Sequence, residues 1–401
     1  MSLKRTSGGD SLPLRGNFVA SKTSLAPARE RHHPASSTVP CRFLYLIGQL
    51  TPGGSERQLL YLLEQLKRRQ YSPHVVVWSC REGDGYVAKI RALEVPLHVL
   101  PYQGTRVHKM LALRRLVWRL RPEVVHSYSS FTNVAAWCST LGTGAVPIGA
   151  LRSEFLWAEQ ENGVLLGRLN MRWPRSQIFN SATAMEVARQ HRRFFVPKHL
   201  FVIRNGLDLQ YFRAAPLPFD GPTCLVGVGS LLPVKRWDRL VRAAAQLRQQ
   251  GLAFRVRIVG DGPLRRALQQ EVERLGLTEV VELPGYSDDV PGELAAATFA
   301  VHLAAAEGYP NAVMEAMACG RAVVAMAAGD VPTLVEDGKT GFVVPQDDAA
   351  RLGHCLATLI TDRHLCRHMG EAGRRKAEQA FSLERLVAET LAAYRVAGWR
   401  E

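Results

Sequence analysis

Residues 299–320 read FAVHLAAAEGYPNAVMEAMACG, and the order of residue types in them decides the fold. Phe299 to Leu303 is a short apolar run of the length expected for a strand buried on both faces. Gly308 permits a tight turn, and Pro310 suits the first turn of a helix, where its missing N–H costs nothing. Strand, turn and helix in this order make one unit of a parallel sheet covered by helices.

The same unit recurs on both sides. CLVGVG (224–229), FRVRIVG (254–260), VVEL (280–283) and AVVAM (322–326) alternate with helical patterns in the second half. FLYLI (43–47), HVVVW (74–78), PLHVL (96–100) and EVVH (123–126) do so in the first, with helices predicted over 56–69 and 109–120. The alternation restarts after Asn205 and Gly206. The sequence therefore predicts an α/β chain of two doubly wound, Rossmann-like domains, 42–205 and 206–380, with their strand ends around one crevice. A last helix, 381–401, has Ser382 as its N-cap and an apolar stripe through Leu383, Leu386, Val387, Leu391 and Tyr394; it is expected to pack back on the first domain.

Composition narrows the classes. A chain of 401 residues with 47% hydrophobic and 22% charged side chains is neither collagen-like nor wholly disordered. Seven scattered cysteines without a CxxC pair fit reduced thiols in a cytoplasmic protein, and no apolar run is long enough to cross a bilayer. Residues 1–210 carry 29 Lys and Arg against 13 Asp and Glu, whereas residues 211–401 carry 22 against 23. The positive excess thus lies in one half, which points to an anionic partner such as a lipid surface, a charged substrate or nucleic acid. Residues 1–41 read as a disordered basic leader, a composition that an organellar transit peptide shares.

The chemistry gathers at the quoted stretch. Free backbone N–H groups at the helix start seat a diphosphate, and Glu307 and Glu315 flank that seat. A carboxylate accepts two hydroxyls at once, which suits the vicinal diols of ribose and of a sugar ring. There is no D-x-D, Asp288-Asp289 and Asp347-Asp348 are adjacent pairs, and Cys355, His364, Cys366 and His368 match no zinc spacing, so no metal site is expected.

With these residues the chain resembles the glycosyltransferase group 1 family, also called family four, retaining nucleotide-sugar enzymes of the GT-B fold whose signature is E-x7-E. The resemblance runs over roughly residues 42–395. Ile203-Arg204-Asn205-Gly206-Leu207-Asp208 with Phe212 is similar to the family's interdomain segment, and Gly229-Ser230-Leu231 through Lys235 to its G-R-L…K loop. Val259-Gly260-Asp261-Gly262-Pro263, Gly285 and the Asp337 to Phe342 block are also similar to family blocks. The resemblance implies that Glu307 meets the donor sugar and Glu315 the ribose. Lys235 would neutralise charge growing on the departing β-phosphate. Ser230 stands where the family has an Arg that shares this task, and the adjacent Arg236 is a possible substitute.

Further contacts follow from the same resemblance. The loop of Gly53 and Gly54 would approach the donor phosphates, Gly308, Tyr309, Pro310, Asn311 and Ala312 would line the diphosphate seat, and the loop at Gly285 and Tyr286 would meet the nucleobase. His126 ends a strand facing the crevice, where relatives have His-x-His; the sugar contact there falls to His126 or Tyr128, and Arg152 sits at a position near acceptor or phosphate. The expected activity is metal-independent transfer of a hexose-type sugar from a nucleotide-diphosphate sugar, with no cofactor, to a glycan or lipid-linked acceptor in polysaccharide, lipopolysaccharide or glycolipid synthesis. The basic helix at 109–121 would dock on anionic lipid, making the protein peripheral to the inner face of the cell membrane. The rivals are another GT-B catalyst such as a nucleotide-sugar 2-epimerase, a non-catalytic relative, and a nucleic-acid-binding protein, for which no recognised module is present.

Overall fold

The computed structural model describes residues 40–80, 84–101, 105–152, 164–191 and 196–401. The leader expected at 1–41 lies outside these residues except for Pro40 and Cys41. The first domain alternates β1 (Phe43–Ile47), α1 (Gly54–Arg68), β2 (Pro73–Val77), α2 (Gly85–Ala92), β3 (Leu97–Val99), α3 (Arg106–Leu120) and β4 (Val124–Ser127). It continues with α4 (Asn133–Thr140), β5 (Val146–Leu151), α5 (Val164–Arg172), β6 (Ser176–Phe179), α6 (Ala182–His191) and β7 (His199–Val202). All seven strands run parallel in the order β3-β2-β1-β4-β5-β6-β7. The chain thus winds one way from β1 and then the other from β4, so the loops leaving these two strands diverge and leave a crevice between them.

The second domain repeats the plan. It contains β8 (Thr223–Val228), α7 (Trp237–Gln249), β9 (Phe254–Val259), α8 (Arg265–Arg274), β10 (Val281–Gly285), α9 (Val290–Ala295) and β11 (Phe299–His302). Then follow α10 (Asn311–Ala318), β12 (Ala322–Met326), α11 (Val331–Leu334), β13 (Gly341–Val344), α12 (Ala349–Thr361) and α13 (Arg363–Ala380). Its parallel sheet has the order β10-β9-β8-β11-β12-β13, with the switch between β8 and β11. The β-branched strands fill sheet interiors: Phe299, Val301, Val324 and Met326 sit in one core with Trp237 and Leu240 of α7 and with Leu356 of α12.

The last helix, α14 (Leu383–Ala397), begins with Ser382 accepting from the Arg385 amide at 3.1 Å. Its stripe of Leu386, Val387, Leu391 and Tyr394 enters the core of the first domain beside Phe43, Tyr45, Leu59 and Leu62. At about 25 cal/mol per Å² of apolar surface removed from water, such a stripe binds the end of the chain firmly to the opposite domain. Among the described residues no helix is long and apolar enough to cross a membrane.

Candidate active site

A cleft of about 710 Å³ opens where the C-terminal strand ends of the two sheets face each other. The two switch points place their helix starts on it. Gly53 and Gly54 begin α1, and Pro310 and Asn311 begin α10; neither helix start has a side-chain cap. The two N-termini touch, since Asn311 Nδ2 donates to Gly54 O at 3.3 Å. A Cβ on Gly54 would lie 2.7 Å from that nitrogen, so a larger residue there would displace the Asn311 amide. Amide dipoles from both domains therefore meet at one place, an anion seat made of backbone.

Charged side chains surround that seat. Lys235 closes a 3₁₀ turn (Pro233–Lys235) after β8 and forms an ion pair with Glu307. His302, the last residue of β11, brings its Nε2 to 3.4 Å from the same carboxylate oxygen. Burial pushes the Glu307 pKa up, but Lys235 and His302 outweigh it and hold the group down at about 2. Glu315 is almost fully buried on α10 and pairs with Arg57, which reaches it from the first turns of α1. Burial raises its pKa, and Arg57 offsets part of that rise.

The remaining wall joins the domains. Asn205 Nδ2 donates to Asn311 Oδ1 at 2.8 Å and to Tyr309 O at 3.1 Å, and Gln58 exchanges two hydrogen bonds with the Gly206 backbone at 2.7 and 2.9 Å. Ala312, Gly229, Ser230, Arg152 and Tyr286 also line the cleft, with Tyr286 donating to Asp288 Oδ1 at 3.0 Å. Gly308, Gly262 and Gly285 are not among the residues that line the cleft. Gly262 packs so closely that a Cβ would come within 3.0 Å of the Leu231 backbone, and Gly285 O accepts from Gly260 N at 2.7 Å.

Three further expected residues, Arg236, His126 and Tyr128, are also absent from the lining. Arg236 is held by Asp238 at 2.9 and 3.0 Å, in a left-handed backbone conformation, and is absent from the cleft wall. His126 and Tyr128 are buried and also absent from it. His126 Nδ1 lies 2.7 Å from the Tyr394 hydroxyl of α14, which donates to Tyr45 Oη at 3.1 Å. Burial, with the Arg152 charge, drives the His126 pKa well below its ordinary 6.5. Arg152 lies between this cluster and the cleft, its guanidinium 3.8 Å from the Tyr128 ring centroid. The ring of His126, expected at the crevice, completes an aromatic cluster filled from 268 residues away. Cys355 and Cys366 are core residues, and among the described residues no three His, Cys, Asp or Glu side chains converge as a metal site would need.

Sequence reasoning missed Arg57, His302 and Asp330. His302 carried a usable signal, since it ends a strand at a switch point. Asp330 carried none. Its buried carboxylate crosses to the other domain and accepts from Ser181 Oγ at 2.8 Å, Ala182 N at 2.9 Å and Thr183 N at 2.9 Å at the start of α6.

Comparison with known proteins agrees with this geometry. Residues 52–211 match the model of Glycosyltransferase Family 4, and residues 210–376 that of Glycosyl transferases group 1. The chain belongs to the group 1 glycosyltransferases. WcaL of Salmonella typhimurium, a candidate colanic acid biosynthesis glycosyltransferase, is 36% identical over 170 residues, 40% of this chain and 42% of that protein. The D-inositol 3-phosphate glycosyltransferase of Kribbella flavida is 32% identical over 224 residues, 50% of this chain and 52% of its own. The chain thus spans about half or less of the length of these curated relatives. Among solved structures, Anabaena Alr3699/HepE in complex with UDP-glucose superposes with a TM-score of 0.77 at 22% identity, over 88% of this chain and 99% of that one. The group 1 chain has the GT-B fold.

Proposed function

We infer that this chain is a retaining glycosyltransferase that moves a hexose-type sugar from a nucleotide-diphosphate sugar to a glycan or lipid-linked acceptor. The observation that carries the reading is the meeting of two uncapped helix N-termini between Glu307–Lys235 and Glu315. As the glycosidic bond breaks, negative charge grows on the β-phosphate. Fixed amide dipoles and the Lys235 ammonium stabilise that charge more than the ground state, which lowers the barrier without a metal or cofactor. Glu307, kept ionised, accepts from donor-sugar hydroxyls, and Glu315 accepts from the ribose. Closure of the cleft removes the water that would otherwise hydrolyse the donor.

The WcaL name and the UDP-glucose complex of HepE support a polysaccharide pathway and a nucleotide-sugar donor. Lipopolysaccharide and glycolipid synthesis belong to the same reading, as does a cytoplasmic protein bound peripherally to the membrane through α3. The test is a thermal-shift and transfer panel of UDP-, GDP- and ADP-sugars with Glu307→Gln as comparison. One donor should raise the melting temperature and feed transfer with retained anomeric configuration, and the variant should lose about a hundredfold in turnover. No shift with any donor would overturn the reading, and donor conversion without acceptor would mark an epimerase instead.

A further inference from the structure

Two cations and two carboxylates close on each other in the cleft. Lys235 holds Glu307 within the second domain, and Arg57 of the first domain holds Glu315 of the second. A departing diphosphate needs cations of its own, and Ser230 contributes none where a second one is expected. Arg236 does not replace it, being tied to Asp238 outside the wall. Apart from Lys235, the cations of the described wall are Arg57, Lys89 and Arg152. Arg152 is stacked on Tyr128, with NH1 3.4 Å from Asn205 Oδ1, and Lys89 is an exposed side chain 5.0 Å from the Tyr86 ring. Arg57 differs from both. It rises from the start of α1, the helix whose first residue touches Asn311 at the start of α10. Its side chain is 25% exposed, so it is desolvated enough for a single charge to matter and open enough to meet a ligand.

We propose that Arg57 is the second diphosphate-binding cation of this cleft, and that a nucleoside diphosphate enters by ion-pair exchange. Its phosphates draw Lys235 and Arg57 away from Glu307 and Glu315, which frees both carboxylates for sugar and ribose hydroxyls. Each cation leaves one anion for another, and each carboxylate gains hydroxyl donors, so no charge is left buried without a partner. Because Arg57 belongs to the first domain, the same exchange ties donor binding to the domain contact. The inference rests on the nucleotide-sugar reading of the cleft.

Calorimetric titration of the wild type, Arg57→Gln and Arg57→Gln/Ser230→Arg with a nucleoside, its monophosphate and its diphosphate tests it. Loss of a charge-assisted contact should weaken diphosphate binding about 10- to 100-fold without weakening nucleoside binding, since Glu315 is then free for the ribose, with Ser230→Arg recovering about tenfold of the diphosphate affinity. Glu315→Gln and Glu315→Gln/Arg57→Gln repeat the comparison without a buried unpaired carboxylate, and decide the matter if Arg57→Gln does not fold. Equal diphosphate affinity with and without Arg57, or an equal loss for nucleoside and diphosphate, would overturn the assignment. A wild type that binds no nucleoside diphosphate would overturn the parent reading instead.

Discussion

Glu307 and Glu56 are both glutamates beside the cleft loops, yet they titrate in opposite directions. Lys235 and His302 hold Glu307 at about 2 against the pull of burial, so it is ionised at neutral pH. Burial dominates at Glu56, one residue before Arg57, and lifts it from 4.5 to about 7, with its own backbone amide and Arg152 only partly opposing. Between these two values the folded state holds a proton that the unfolded chain has lost, so Glu56 subtracts stability as pH rises through about 4.5 to 7. Glu56→Gln should therefore melt above the wild type at about pH 8 and together with it at about pH 4, as read by calorimetry. A gap of the same size at both pH values would show that the carboxyl does not titrate there. The same contrast explains what was legible. Glu307, Glu315 and Lys235 announce themselves by spacing around a strand, turn and helix, since local geometry fixes where those side chains go. Arg57 did not, because its meaning comes from Glu315, 258 residues later. The surroundings of His126 were illegible for a similar reason, since the ring that covers it arrives on the last helix.

At the scale of elements, the runs that read most plainly as strands were buried on both faces, such as FLYLI and HVVVW, while the partly exposed PLHVL and FRVRIVG were read from their β-branched residues and flanking turns. β6 and β7, SQIF and HLFV, carry polar Ser176, Gln177 and His199, which blur the apolar run that marks a buried strand. Helix ends followed local chemistry at Ser382 and at Ser181, whose Oγ accepts from Ala184 N at 3.1 Å, but the first two amides of α6 are capped from the other domain. The Asp330 carboxylate satisfies two α6 amides and Ser181 Oγ, and burial does not prevent those donors from holding its pKa below the ordinary value. Asp330→Ala strips the cross-domain acceptor from two partly buried amides and from the buried Ser181 hydroxyl, at a cost of about 2–4 kcal/mol by denaturant unfolding. Ser382→Ala, which removes an ordinary local cap, should cost about 1 kcal/mol. If Asp330→Ala costs no more than Ser382→Ala, the crossing carboxylate does not join the domains energetically.

For the whole molecule, the uneven charge seen in the sequence takes a definite place on the surface. Helix α3 contains no acidic residue, and Lys109 turns inward to donate to Trp78 O and Ser79 Oγ at 2.8 and 2.9 Å. Its outer face exposes Arg106, Arg115 and Arg119 around Val107, Leu111 and Trp118, the last of which is 52% exposed. Leu141 is exposed in the loop whose Gly142 lies against Trp118. Large apolar side chains ringed by arginines suit the boundary of an anionic bilayer, where the rings enter the headgroup layer and the guanidinium groups meet phosphates. Each arginine near such a surface contributes about 1 kcal/mol, so Arg115→Gln/Arg119→Gln should lower the partition onto phosphatidylglycerol vesicles about 30-fold. Sedimentation at low salt reads this directly. High salt should release the wild type, whereas the Glu307→Gln variant should sediment as the wild type does, because the cleft and this face are separate surfaces. A wild type that stays in the supernatant at low salt would remove the membrane from the reading and leave the basic half to an anionic acceptor.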